Sequence, residues 1–249
     1  MKTLFFGFIF LWAPVFAMAQ DVDAMLKEAE KLEPASEERA FLKYQEILKL
    51  QPAHIAALCK SSELCSSIGR RQESKEQKLI YFKAAQKFAH QALQVNPNSS
   101  EANFVMSIAM GRMALILNGK EKLTAVDDIK KYAEIAIKCD PGNYKPYHVL
   151  ARWHYEVSNL SGIEKALAKV FYKALPPASL KDAIYNYEKC RLLVPDLKVN
   201  YLELAKCYHR NDEKQKAIEY LNKALSMPDK IQDDARVREE ANELLKKWR

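Results

Sequence analysis

The chain has 249 residues, of which 49% are hydrophobic and 29% are charged, and its formal net charge at pH 7 is +7. Only six residues are glycine, which argues against a sheet with many tight turns, because turns with positive φ need glycine or asparagine. No GxGxxG or GxxxxGK[ST] motif is present, so the sequence offers no glycine-rich loop for a nucleotide phosphate. Alanine, leucine, lysine, glutamate and glutamine, which are strong helix formers, are abundant. We therefore expect an all-α protein.

The first nineteen residues, MKTLFFGFIFLWAPVFAMA, have the three parts of a secretory signal. Lys2 gives the positive start, Leu4–Phe16 form the apolar run, and residues 17–19 (AMA) form an A-x-A cleavage site. The run contains Pro14 and is short for a membrane-spanning helix. We expect cleavage after Ala19 and export, to the periplasm if the host is a Gram-negative bacterium. The alternative is that residues 1–19 stay attached as a membrane anchor.

Residues 20–249 carry a repeated helical pattern, and each unit ends close to a proline. These prolines are Pro52, Pro97, Pro141, Pro195 and Pro228. Mostly small residues recur at fixed distances before them: Ala40, Tyr44 and Ile47; Ala85, Ala89 and Ala92; Ile129, Ala133 and Ala136; Ala183, Tyr187 and Cys190; Ala217, Leu221 and Ala224. In a tetratricopeptide helix pair, small residues let the two helices approach closely, and proline ends the unit because it cannot continue a helix. We expect a tetratricopeptide-like α-α superhelical array over residues 20–249, with units closing near residues 52, 97, 141, 195 and 228.

The repeat spacing is longer than usual in most units. The first three proline intervals are 45, 44 and 54 residues, whereas the last is 33 and an ordinary repeat has about 34. The pattern therefore predicts longer helices or added turns in residues 66–79, 116–127 and 157–190. Residues 233–248 read as a terminal helix that closes the last unit.

Residues 163–175 form a basic amphipathic stretch. Apolar residues lie at helical spacing on one face: Ile163, Leu167, Val170, Phe171, Ala174 and Leu175. Lys165, Lys169 and Lys173 share another face. One interpretation is an added helix packed on the array with its lysines in water, which we favour because any solvent-facing helix shows such a stripe. The other is a helix that contacts a membrane surface. Pro176-Pro177 end the stretch, and Ser179 is a candidate N-cap for the next helix.

Residues 157–208 contain three marks: the LSxIEK run, the PP-S break leading into DAIYNY, and NYLELAKCY. With these marks the chain resembles the carboxy-terminal half of the regulator of microtubule dynamics family. The resemblance is clearest from about Pro141 to Met227 and extends more faintly back to about Glu38. The resemblance implies the helical repeat architecture described above and a binding, non-catalytic role. The family's microtubule role is not carried over, because a protein exported from a bacterium does not meet tubulin.

The sequence holds no HExxH, GxSxG or SxxK motif, and we expect no enzyme activity, no cofactor and no metal site. Lysines alternate with glutamates along the chain, which indicates solvated helix faces rather than a nucleic-acid-binding stripe. No CxxC occurs, and four of the five cysteines fall on apolar helix faces. Cys190–Cys207 is the candidate pair if an oxidising compartment forms one disulfide.

The first helix of each pair lines the concave face of such an array. Polar or amphipathic residues that depart from the packing pattern there are our candidate groove residues: Asn103, Arg112, Arg152, Tyr155, Asn200, Glu203 and Lys206. Arg152 and Lys206 each follow a small site, so together they suit an acidic peptide or a C-terminal carboxylate; ordinary solvated charge is the alternative for each. We expect an exported scaffold or adaptor that binds a protein or peptide in its groove. The alternative is a membrane-surface protein that uses helix 163–175.

Overall fold

The computed structural model describes residues 13–162, 166, 169–170 and 176–248. These residues contain eleven α-helices and no strand, which confirms the all-α prediction. The helices are α1 (Ala13–Leu32), α2 (Glu37–Leu50), α3 (Ile55–Arg71), α4 (Lys75–Val95), α5 (Ser100–Ala114), α6 (Gly119–Cys139), α7 (Tyr144–Ser158), α8 (Leu180–Leu193), α9 (Lys198–Arg210), α10 (Lys214–Leu225) and α11 (Asp234–Trp248).

The helices pack as five successive pairs, from α1–α2 to α9–α10, and α11 packs on the last pair. The second helix of each pair ends two or three residues before the proline of its unit. Four of these helices end alike: the residue after the helix is not helical and donates its N–H to the carbonyl four residues earlier, as Gln51 does to Ile47. A proline at the following position explains this ending, because it disfavours helical geometry in the residue before it.

The repeated small residues lie where the helices are closest. Nine of them have no exposed surface: Ala40, Ala85, Ala89, Ala92, Ala133, Ala136, Ala183, Cys190 and Ala217. The bulky members Tyr44, Tyr187 and Leu221 are equally buried, so the first, fourth and fifth units alternate small contacts with large core side chains. Ile129 departs from the pattern and is only partly buried.

The extra residues of the second and third units are helical. α4 and α6 have 21 residues each, whereas α2, α8 and α10 have 14, 14 and 12. Between α7 and α8, the predicted helix 163–175 lies mostly outside the described residues. Those that are described there, Gly162, Ala166, Lys169 and Val170, are exposed.

Serine side chains set several helix starts. Ser36, Ser74, Ser99 and Ser179 each accept the N–H of the residue three positions on, at 3.0–3.3 Å. This bond satisfies one of the N–H groups that the first turn of a helix leaves free. The predicted cap at Ser179 is among them.

All five cysteines are free, so the candidate disulfide Cys190–Cys207 is not formed. Both thiols are instead buried in the helix packing, and burial raises the pKa of each to about 12. Cys59 and Cys65 are buried as well, and Cys139 is exposed. No helix in the part of the chain that the structure describes is both long and apolar enough to cross a membrane.

Candidate functional site

The first helices α3, α5, α7 and α9 pack side by side along the array. In a stacked helix-pair array this row forms the concave surface. All seven candidate groove residues lie on α5, α7 or α9. The structure separates them into residues used inside the fold and residues that remain accessible.

Asn103 and Asn200 belong to the interior and leave the candidate set. Asn103 is buried, and its Nδ2 donates to the carbonyls of Pro97 and Ser99 at 2.8 and 2.9 Å. Asn200 is fully buried; its Nδ2 donates to the Tyr187 carbonyl at 2.9 Å, and its Oδ1 lies 3.1 Å from Nδ1 of His148. A polar residue off the packing pattern can face the groove or satisfy buried backbone, since buried polar groups need partners. Only the tertiary contacts distinguish the two.

Glu203 and Lys206 form an ion-pair network with the terminal helix. Lys206 Nζ lies 3.0 Å from Oε1 of Glu203 and 2.6 Å from Oε1 of Glu240 on α11. Burial lowers the pKa of Lys206, but the two carboxylates outweigh it and raise the pKa overall. Glu203 is itself only 7% exposed. The charge of Lys206 is therefore already matched by acidic side chains.

Arg152 and Tyr155 remain open to a ligand. Arg152 is exposed, and its nearest carboxylate is that of Glu156, with Nη2 and Oε1 3.6 Å apart. The Tyr155 ring is partly buried and lies beneath the guanidinium of Arg210, whose carbon is 5.2 Å from the ring centroid. Arg210 also donates to the Tyr155 carbonyl at 3.0 Å. These contacts fix the position of Tyr155, whereas Arg152 has a single ion pair, with Glu156, among the described residues.

A pocket of about 480 Å³ opens between α7, α9 and α11. Its lining brings together two of the candidates, Tyr155 and Lys206, with residues of the last unit: His209, Arg210, Leu244, Lys247 and Trp248. His209 stacks on Trp248 with ring centroids 4.0 Å apart. The pocket therefore combines aromatic surface with basic side chains.

Arg112, on α5, is the least compensated charge of the candidate set. Its Nε has no contact with solvent and no hydrogen-bond partner, and no carboxylate of the described residues lies within 4.0 Å of the guanidinium. Burial lowers the pKa of Arg112 to about 10, and the positive charges of Arg70 and Arg152 lower it as well.

The end of α3 meets the start of α11, a contact that no motif or periodicity indicated. Arg70 forms an ion pair with Asp233, which is 163 residues away in the chain. Arg71 Nη1 lies 4.0 Å from Oδ1 of the same carboxylate, and Arg71 Nη2 lies 2.7 Å from Oε2 of Glu37. Asp233 also raises the pKa of Arg112, in opposition to the neighbouring arginines. The residue before the terminal helix thus brings a carboxylate to the two arginines at the end of α3.

Basic side chains lie on three of the inner helices: Arg112 on α5, Arg152 on α7 and Lys206 on α9. Together with the aromatic pocket, they offer chemistry that suits an acidic or amphipathic segment. Among the described residues, no three His, Cys, Asp or Glu side chains are grouped closely enough to hold a metal ion. Two further histidines on α7, His148 and His154, have pKa values lowered by burial. His154 packs against the Trp153 ring at 5.0 Å, as a core residue does.

Stacked helix pairs with small residues at the close contacts define a tetratricopeptide-like repeat protein. Comparison with solved structures agrees. The fold is similar to that of TTC0263, a thermophilic TPR protein in Thermus thermophilus, with a TM-score of 0.67 and 13% identity over 90% of this chain and 98% of that one. It is also similar to Pseudomonas aeruginosa pilF, with a TM-score of 0.58 and 11% identity over 93% of this chain and 90% of that one.

The sequence model of the family described as "Regulator of microtubule dynamics protein 1-3" matches residues 20–249, and the chain belongs to this family. It is 32% identical to regulator of microtubule dynamics protein 1 of Caenorhabditis elegans over 157 residues, which cover 63% of this chain and 70% of the worm protein. It is 24% identical to protein 3 of Rattus norvegicus over 90% of this chain and 49% of the rat protein. The chain spans about half the length of the vertebrate relatives it matches. The family resemblance seen in the sequence is confirmed, and it reaches further towards the amino terminus than the motifs did.

Proposed function

We propose that this protein is a non-catalytic scaffold that binds a protein or peptide along its concave face. The tetratricopeptide-like fold and the family membership support an interaction role in general. The observation that carries the proposal is the inner row of helices, on which the exposed Arg152 precedes the pocket residue Tyr155 by one turn of α7. Because rigid helices already hold these side chains, binding costs little ordering entropy.

Site-specific photocrosslinking tests this proposal in the producing cell. A photoreactive phenylalanine at position 152 samples the concave face, and the same residue at Lys83, which is exposed on α4, serves as the control. We expect reproducible crosslinks to a protein from position 152 that position 83 does not give. Equal patterns from both positions, or no crosslink from position 152 at native abundance, would contradict the proposal.

We also propose that the protein is exported and that cleavage follows Ala19. The family match begins at residue 20. The buried α1 residues Val22 and Ala29 both follow the cleavage point, so a chain that starts at Gln20 keeps them. Intact-mass measurement of the purified protein should give a first residue of Gln20. A mass that includes residues 1–19 would favour the anchor instead.

The second candidate is a membrane-surface role for residues 163–175. It is favoured by Val170, a residue of the proposed apolar face that is 77% exposed, next to the exposed Lys169. Flotation with anionic vesicles tests it with the triple variant Lys165→Gln, Lys169→Gln, Lys173→Gln. Loss of flotation in the variant supports membrane contact, whereas flotation that is unchanged, or absent from the wild type, removes this candidate.

A further inference from the structure

The inner row of helices comes back into contact with itself. Along the row α3, α5, α7 and α9 pack in order, and α11 packs next to α9. The end of α3 and the residue before α11 are nevertheless joined directly, by the ion pair between Arg70 and Asp233. This contact skips the three helices that lie between α3 and α11 in the row. The row is therefore closed at this point by a pair of charged side chains.

The terminal helix is held by different forces on its two sides. On α9 and α10 it packs through a buried apolar cluster, to which α11 contributes Val237, Ala241 and Leu245. Towards α3 the described side chains meet as ion pairs, and these side chains are 23–29% exposed. A partly exposed ion pair changes an equilibrium constant by up to about fivefold, which is far less than the effect of burying several apolar side chains. The contact with α3 is thus the weaker of the two.

Both sides of this contact can separate without leaving a buried charge unpaired. Arg71 keeps a second partner, because its Nη2 lies 2.7 Å from Oε2 of Glu37 in the first unit. The Arg70 side chain is 23% exposed, so water can solvate it when Asp233 moves away. The start of α11 does not depend on the Asp233 carboxylate either, since Asp234 accepts the backbone N–H groups of the turn before the helix. An open arrangement therefore preserves the structure on each side.

We propose that the Arg70–Asp233 ion pair, together with Arg71, is a latch that holds the concave face closed, and that its release opens the array between α3 and α11. In the open state α11 stays on α9 and α10, because their apolar contacts are unaffected. The opening widens the face on which Arg152 and the pocket lie, so the latch regulates access to that face. This inference goes beyond the proposed function, because it concerns how the face opens and holds for any occupant.

Double electron–electron resonance between two spin labels measures the opening in the full-length protein. The labels are attached through E73C and A235C, at exposed positions just after α3 and at the start of α11. A C139S background leaves only the four buried native cysteines, which do not react in the folded protein. A second label pair, E73C with K122C on α6, does not cross the latch and reports whether the neighbouring units keep their arrangement.

Removing or reversing the charge of Asp233 should lengthen the distance across the latch. D233N should raise the ratio of open to closed molecules by up to about fivefold. D233R should raise it further, because it places a third positive charge beside Arg70 and Arg71. The double variant R70D/D233R restores a pair of opposite charges and should return the short distance. The matched control E239Q removes an acidic charge at an exposed position of α11 and should behave as the wild type does.

The proposal is overturned if D233N and D233R give the same distances across the latch as E239Q. It is also overturned if R70D/D233R stays as open as D233R, because the opening would then not come from this ion pair. A distance from position 73 to position 122 that lengthens in parallel would show general loosening of the array, which contradicts the proposal as well. The spin-label measurement needs no partner, so its failure is distinct from a failure of the proposed function, which is judged by the crosslinks from position 152.

Discussion

Replacing Gly69 by alanine should destabilise the second helix pair, although alanine is the better helix former. Gly69 lies on α3, and a Cβ added there would come within 2.6 Å of Tyr81 Cβ and 2.8–2.9 Å of the Phe82 ring on α4. The first carbon of a side chain cannot move away by changing rotamer, so the two helices would have to separate. Overpacking of this kind costs about 1–3 kcal/mol, and the helix-propensity gain of alanine recovers at most about 1 kcal/mol.

Gly111 on α5 provides the matched control. A Cβ there would meet only Ile129 Cδ1 and Cγ1, at 3.8 and 4.0 Å, which is ordinary contact. Gly111→Ala should therefore stabilise the protein by about 0.5–1 kcal/mol, because glycine in a helix loses more backbone freedom on folding. Gly69→Ala should destabilise it by up to about 2 kcal/mol, the overpacking cost of about 1–3 kcal/mol less a propensity gain of about 1 kcal/mol.

Urea denaturation followed by circular dichroism at 222 nm measures both variants against the wild type. The expected result is a lower midpoint for Gly69→Ala and a higher one for Gly111→Ala, with similar slopes. A Gly69→Ala protein as stable as the wild type would show that α3 and α4 are not held as closely as the structure has them. A destabilised Gly111→Ala protein would show that α5 and α6 lie closer together at this position than the structure has them.

Three further predictions concern buried polar groups and thiols. The Tyr187 hydroxyl is buried without a hydrogen-bond partner in the described fold. Tyr187→Phe should therefore leave the free energy of unfolding unchanged or raise it by up to about 1–3 kcal/mol, as measured by urea denaturation. A clear loss of stability would show that the hydroxyl has a partner. Under native conditions an aromatic disulfide reagent should modify the exposed Cys139 rapidly and the four buried thiols only at the rate of unfolding, and fast modification of a second thiol would contradict the burial. Glu188 accepts hydrogen bonds from Tyr208 and Tyr220 at 2.8 and 2.9 Å; burial raises its pKa, but these bonds and Arg191 outweigh burial and hold the pKa below 4.5. The ionised Glu188 therefore stabilises the folded state above pH 4.5, and this stabilisation is lost as the pH falls through its lowered pKa. The free energy of unfolding of Glu188→Gln should depend less on pH in this acidic range than that of the wild type. An unchanged pH dependence would refute the lowered pKa of Glu188.

Helix order and helix contacts could be predicted from residue types because they depend on local rules. A proline at the close of a unit ends the helix before it, because it disfavours helical geometry in the preceding residue. An alanine such as Ala89 or Ala133 repeats at the spacing of one helix face, and that face must be buried for the helix to be stable. Because a proline closes each unit, a longer interval between prolines leaves room for longer helices, and the long intervals predicted α4 and α6 in this way.

The groove could be predicted only in part. Asn103 and Asn200 were placed on the correct helices, but their amides turn inward to satisfy buried backbone. Periodicity does not distinguish such a residue from one facing the groove, since both depart from the apolar pattern in the same way. The sequence also predicted that Lys206 faces the groove as an accessible charge, but its ammonium group forms an ion pair with Glu240 of the terminal helix.

The sequence by itself determined the helix pairs, their close contacts and the family, because each depends on residues within one or two turns of each other or on a motif. The meeting of Arg70 with Asp233 across 163 residues was decided only in three dimensions. It depends on how successive pairs stack, each with a small rotation against the last, so that the residue before the terminal helix meets the end of α3. No single unit of the sequence contains that rotation.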